Sequence, residues 1–415
     1  MAGFSKRGSC TGRGGRGLLT TACAATVLIG AVVAPPSSVR ASAADTPAIR
    51  RAVAIAAPSV VFVVVRITGS VLESRDGLLH GPLVATSKGT GWFVNPAGVF
   101  VTATHVVAPS PDDVKVALVD RYIVAITGAQ LTTDSPQFAA YLAATTVRNA
   151  VFSVRVITQG MQVPPGVSDA ELFSTGRPAT VLASSPISST DVSVLAISGR
   201  DEPAVLVSTS STPVGAPLGI IGYPKMSPSF SVTPTYTFGQ LTSFSHGSEG
   251  IGLPSDATTA GIAADATVLG VDAYAEHGDS GGPAVDEQAR ADGLVSFGSV
   301  TGQPIFLVSS ADISRVLSGA HQVNALGPSD RAWRAGLAAY DSGALRAALD
   351  DFRSCTAISQ DNTGCRSWST RVAGELAPSH PGPPWVTLTA GGAGLLVLIV
   401  VLAVALPRWR RARAA

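Results

Sequence analysis

Apolar positions along this chain fall into three regimes. Near the start, the basic residues Lys6, Arg7, Arg13 and Arg16 precede a mainly apolar run, Leu18–Ala34. In the body that follows, short β-type segments rich in Val, Ile and Phe alternate with turns rich in Gly, Pro, Asn and Ser. Gly89–Val94 and Gly98–Ala103 read as two strands joined by the Asn95–Gly98 turn, and Val181–Ala183 and Val192–Ile197 as two more, flanking Ser184–Asp191. The stretch from about Tyr122 to Gly176 interrupts this pattern and reads as an insertion, partly helical around Ser135–Ala144. Beyond it, Trp333, Gly336, Leu337, Tyr340, Gly343, Leu345, Ala348 and Phe352 recur at helical spacing in two short amphipathic runs. Last comes Leu388–Leu406, with no charged residue, long enough to cross a bilayer core of about 30 Å.

The candidate chemistry sits in the β-rich body. Gly278-Asp279-Ser280-Gly281-Gly282-Pro283 places a serine inside a turn of glycines. Glycine reaches backbone angles that side chains forbid, so such a turn can project a hydroxyl while backbone N–H groups share the same space. The N–H groups of Gly278 and Ser280 are the candidate oxyanion hole. The same residues also make an ordinary turn, so the reading needs partners. His105 closes the strand in Thr102-Ala103-Thr104-His105-Val106-Val107, where an imidazole can be held as a general base. Asp191 heads the apolar strand Val192–Ile197 and is the candidate for orienting that imidazole. Asp112, Asp113, Asp120 and Asp134 are rivals by position, but none introduces a comparably apolar strand.

These blocks resemble the trypsin-like serine proteases, and the HtrA (Deg) type in particular. Thr102–Val107 resembles that family's histidine block, Asp191–Leu195 its aspartate block, and Asp272–Ala275 with Gly278–Pro283 its serine block. Gly219–Pro224 and Gly239–Ser243 resemble intervening segments. The resemblance implies a mainly β fold of two packed β-barrels with His105, Asp191 and Ser280 as a catalytic triad. It also implies peptide substrates and no cofactor. Tyr274 stands where trypsin carries an acidic specificity residue, so it and His277 are candidate substrate contacts, and no preference for Arg or Lys is expected. Asp279 departs from the Asn usual in HtrA enzymes, and no peptide-binding PDZ segment follows the body.

Both ends point to a membrane. Residues 1–43 read as a signal peptide with Ala41-Ser42-Ala43 as its cleavage site, an uncleaved anchor being the alternative. Residues 388–406 read as a transmembrane helix and 407–415, with Arg408, Arg410, Arg411 and Arg413, as a cytoplasmic tail. That orientation puts the body (44–325, with the insertion at about 122–176) outside a bacterial cell membrane. Residues 326–375 form a module resembling one tetratricopeptide-type helical hairpin, a possible protein-partner site or a plain spacer. Residues 376–387 read as a Pro-rich stalk.

Cys355 and Cys365 are the only cysteines after the leader, and in an oxidising exterior they are expected to pair. Two thiols without a nearby His offer too few ligands for a metal. The net charge of +1 gives no indication of nucleic acid. The expectation is a membrane-anchored serine endopeptidase. The alternative is a non-catalytic or latent protease-fold sensor of the cell envelope.

Overall fold

The computed structural model describes residues 44–377 except 162, 165, 187, 225–232, 247–265 and 299–303. The expected signal peptide, nearly all of the stalk, the membrane span and the basic tail lie outside these residues. Among the described residues no helix is long and apolar enough to cross a membrane.

Helix α1 (Pro47–Ala56) opens the described chain, capped by Thr46, whose hydroxyl accepts from Ile49 N. Its buried face, Ile49, Ala52, Val53 and Ala56, follows helical spacing and packs on the second barrel described below. Six strands then form a closed barrel: β1 (Val60–Glu73), β2 (Leu79–Phe93), β3 (Val99–Ala103), β4 (Thr145–Ile157), β5 (Arg177–Ser184) and β6 (Val192–Ala196), in the order β1-β2-β3-β6-β5-β4. Between β3 and β4 come α2 (Thr104–Val107), α3 (Pro111–Thr127) and α4 (Pro136–Ala144), and between β4 and β5 lies α5 (Asp169–Thr175). The run Val60–Val65 is buried on both sides because one face fills the barrel and the other meets neighbouring elements. The ring of Phe62 packs edge-on against Tyr223, at 5.5 Å between centroids, joining the two barrels.

The second barrel follows β7 (Leu206–Val207). It comprises β8 (Pro217–Gly222), β9 (Thr235–His246), β10 (Thr267–Val271), β11 (Pro283–Val285), β12 (Arg290–Gly298) and β13 (Ile305–Ser309). The order is β11-β8-β9-β10-β13-β12, closed by β11–β12 pairing, and β7 adds to β12 in parallel. The fold is therefore two six-stranded antiparallel barrels, as the resemblance implies.

The stretch 122–176 differs from its expected form as an insertion. Strand β4 lies inside it and is part of the barrel, paired with β1 from Phe62↔Ile157 to Glu73↔Thr145. Most of its residues face solvent, so its sequence lacks the apolar pattern of a core strand. The added helices are α3 and α4, which pack against β1, β2 and β4, together with α5.

After α6 (Ser310–Gly319) come three helices: α7 (Pro328–Asp341), α8 (Leu345–Ile358) and α9 (Thr363–Leu376). The expected hairpin is α7 with α8, and α9 packs upon α8. Trp333, Leu337, Phe352 and Val372 form its core, each large side chain contributing about 1.5–3 kcal/mol on burial. At Gly336 a Cβ would stand 2.6 Å from the ring of Phe352, so only glycine lets α7 and α8 approach this closely. Cys355 and Cys365 form a disulfide across the α8–α9 turn. The module is docked on the barrels: Trp333 Nε1 donates to Ile55 O (3.2 Å), Ala204 N to Asp330 Oδ1 (2.9 Å) and Ser329 N to Asp201 Oδ2 (2.9 Å).

Candidate active site

His105 begins where β3 ends. Its backbone N–H donates to Asp191 Oδ1 at 2.9 Å, and its Nδ1 lies 2.8 Å from Asp191 Oδ2. Asp191 reaches this position because it takes a left-handed backbone conformation (φ 49°) just before β6, which pairs with β3. Thr104 N donates to Asp191 O at 3.1 Å, fixing the two segments to each other. The Asp191 side chain is 2% exposed and that of His105 27%. Asp191 Oδ2 also accepts the hydroxyl of Ser296, on β12 of the second barrel. The carboxylate thus holds His105 by its backbone and its ring, and is itself held from across the barrel junction.

This arrangement sets the imidazole's chemistry. Burial favours the neutral ring, but the negative charge and hydrogen bond of Asp191 outweigh it, so the His105 pKa is raised above its ordinary 6.5. With Nδ1 donating to the carboxylate, Nε2 of the neutral ring carries the free lone pair. The ring of Phe297 lies nearly parallel to that of His105, at 6.3 Å between centroids.

The serine turn is fixed to the same corner. Thr90 N donates to Ser280 O at 2.8 Å, and Thr90 Oγ1 donates to Gly278 O at 2.6 Å. Gly281 N donates to Val295 O and Val295 N to Gly282 O, at 2.7 and 2.9 Å, tying the turn to the strand that carries Ser296. Gly281 adopts φ 88°, and a Cβ there would collide with Thr90 O and Thr102 Oγ1, so the turn packs this tightly only with glycine. Ala103 N, two residues before His105, lies 2.9 Å from that same Cβ position.

Backbone donors in the turn divide cleanly. Asp279 N donates to Glu276 O (3.0 Å), and Gly282 N to Asp279 O (2.9 Å). Among the described residues the N–H groups of Gly278 and Ser280 have no acceptor. Gly278 sits at φ 108°, the backbone state that turns these two donors out of the local hydrogen bonding. Two free N–H groups flanking a half-buried serine can hold a developing oxyanion.

Asp279 is buried. Its Oδ2 accepts from Glu276 N at 2.9 Å and its Oδ1 has no partner. Burial pushes its pKa up to about 6. Tyr274 is 46% exposed, and its hydroxyl donates to Glu276 Oε1 at 2.8 Å. His277 is exposed beside the turn. The structure therefore gathers His105, Asp191, Gly278 and Ser280 into one corner, with Tyr274 and His277 on the approach to the serine turn. Cys355 and Cys365 belong to the helical module instead. Ser296, Phe297 and Thr90 escaped the sequence reading. Each is a common strand residue whose role arises only from cross-barrel contact. Among the described residues no cluster of His, Cys, Asp or Glu could hold a metal ion.

Residues 89–294 match the family model described as a trypsin-like peptidase domain, a span that includes His105, Asp191 and Ser280. No curated protein matches the chain. Among solved structures, the Rv3671c protease from M. tuberculosis in its active form is 20% identical, with 72% of this chain and 97% of that chain covered and a TM-score of 0.38. Its inactive form is 19% identical, covering 66% and 96%, with a TM-score of 0.37. The HtrA-type protease AlgW, solved with a tripeptide, is 18% identical, covering 65% and 62%, with a TM-score of 0.38. The barrel assignment rests on this chain's own strand pairings. The pairings give the two-barrel fold, and within it residues 89–294 are similar to the trypsin-like peptidase domain family.

Proposed function

We propose that this chain is a serine endopeptidase that hydrolyses peptide bonds through an acyl-enzyme, with His105, Asp191 and Ser280 as its triad. The observation that carries this reading is the pair of free N–H groups, Gly278 and Ser280, in the corner where Asp191 holds Nδ1 of His105. Ser280 Oγ attacks the substrate carbonyl as Nε2 of His105 takes its proton. The tetrahedral oxyanion accepts hydrogen bonds from Gly278 N and Ser280 N, and loss of one such donor costs about 3–4 kcal/mol of barrier. Asp191 stabilises the imidazolium, which then protonates the leaving amine. Water repeats the sequence on the ester. Tyr274 and His277 are proposed as substrate contacts, and an aliphatic or small residue is expected before the cut.

The reading includes a place in the cell. The leader Lys6–Ala34, the uncharged run Leu388–Leu406 and the arginines after it support a single-pass protein anchored in a bacterial membrane. The peptidase body then faces outward, where its substrates are envelope or secreted proteins. The Cys355–Cys365 disulfide accords with an oxidising exterior. Hydrolysis of a quenched fluorescent peptide library by the full chain tests the proposal. Turnover abolished in Ser280→Ala supports it. Turnover that survives in Ser280→Ala, or its absence in the folded parent across the library, overturns it.

A further inference from the structure

The first barrel is closed at one seam by only a short ladder. Strands β4 and β5 pair only at Val154↔Ala179, Arg155↔Pro178 and Val156↔Arg177. Beyond that point each stays paired on its other side, β4 with β1 and β5 with β6. Their facing edges, 148–153 on β4 and 180–184 on β5, therefore part into a wedge. A cavity of about 620 Å³ occupies it, lined in part by Phe152, Val154, Ala179 and Val181. Native sheet edges are ordinarily guarded by charges, proline or covering segments, because unpaired N–H and C=O groups recruit another strand. Apart from Arg148, these edges carry exposed apolar side chains: Val151 (61%), Phe152 (38%), Val181 (47%) and Leu182 (42%).

We propose that this wedge takes an extended apolar segment of a polypeptide substrate as an added strand. The backbone edges specify a strand as occupant, since its N–H and C=O groups would meet those that β4 and β5 leave free. The side chains specify its character. Arg155 is the one charged residue lining the wedge, and its guanidinium is engaged by Ser174 O (3.2 Å) and Gly176 O (2.7 Å). Arg148, exposed on the β4 edge, is a second positive charge, and no carboxylate lines the cavity or stands on either edge, so the wedge does not favour a basic segment.

The wedge is also continuous with the candidate active site. Val107 and Ala108, directly after the His105 turn, line it, as does Ser184, where the loop to Asp191 begins. A segment seated there abuts both stretches of chain that carry the His–Asp pair. The proposal thus extends the peptidase reading to the part of a long substrate that lies away from the cut, although its test needs no catalysis.

The test uses the full chain carrying Ser280→Ala and fluorescently labelled dephosphorylated β-casein, a disordered polypeptide with long apolar stretches, with affinity read by anisotropy. The expected result is saturable binding that weakens at least tenfold in Phe152→Asp/Val181→Asp and returns in Phe152→Leu/Val181→Ile. Circular dichroism melting checks that each variant is folded. If the aspartates unfold the barrel, Phe152→Ser/Val181→Ser is read against the same threshold. Absence of β-casein binding, or affinity of the folded polar variant within twofold of its parent, overturns the proposal. Wedge-dependent binding in a chain whose intact Ser280 cleaves nothing would uphold strand addition and remove only the peptidase reading.

Discussion

Glu202→Gln should flatten a pH dependence of stability that the wild-type chain carries. Glu202 is 1% exposed, at the junction of the first barrel with the helical module. Its Oε1 pairs with Arg177 Nη1 at 2.8 Å, and that same nitrogen reaches Asp361 Oδ2, in the disulfide-closed turn, at 3.1 Å. Its Oε2 is buried without a partner. Burial is the largest influence and the charge of Asp361 adds to it. Together they exceed the opposing pull of Arg177, and the pKa rises from 4.5 to about 7. The folded chain therefore holds a proton that the unfolded chain has released between those two pH values. Stability falls as pH rises through that window and levels off above it. At about 1.4 kcal/mol for each pH unit, the full change is roughly 3 kcal/mol.

Gln keeps the shape of Glu202 and cannot ionise. The assay is guanidinium unfolding of the full chain and of Glu202→Gln at several values between pH 4.5 and 8. The stability of wild type relative to the variant should decline by about 2–3 kcal/mol across that range. A difference that stays constant with pH would refute the reasoning, because the buried carboxylate would then titrate as it does in water.

Other expectations concern the active corner. Because Asp191 raises the His105 pKa, the acid limb of a kcat/KM profile should lie above 6.5, activity growing as the imidazole loses its proton. In Asp191→Asn that limb should move to lower pH and kcat should fall by about ten-thousandfold, measured on a fluorogenic peptide from pH 5 to 9. An acid limb unchanged in position would separate Asp191 from the imidazole. Gly281→Ala forces a Cβ into Thr90 O and Thr102 Oγ1 at φ 88°, so it should lower the melting temperature and reduce kcat at least a hundredfold. An active, equally stable Gly281→Ala chain would contradict the tight docking of the serine turn.

Much of this corner was legible in the sequence because its chemistry is local. A serine among glycines, a histidine closing an apolar strand and an aspartate heading another each carry their signal within a few residues. Ser296 does not: it meets Asp191 only because the barrels bring positions 105 residues apart into contact. Strand β4 was hidden for a different reason. Its middle faces solvent on a parted seam, so Thr145–Ile157 shows neither a buried run nor strict alternation. Helix α9 was concealed by its polarity. It buries little beyond Cys365 and Val372, and its docking depends on the disulfide turn and on Trp368 packing against Tyr340 and Phe352.

The central claim is that Ser280 is an activated nucleophile, and labelling with a fluorophosphonate probe measures that most directly. The full chain should be labelled at Ser280, with labelling lost in Ser280→Ala and in His105→Ala. A folded wild-type chain that takes no label, or labelling that persists in His105→Ala, would contradict it.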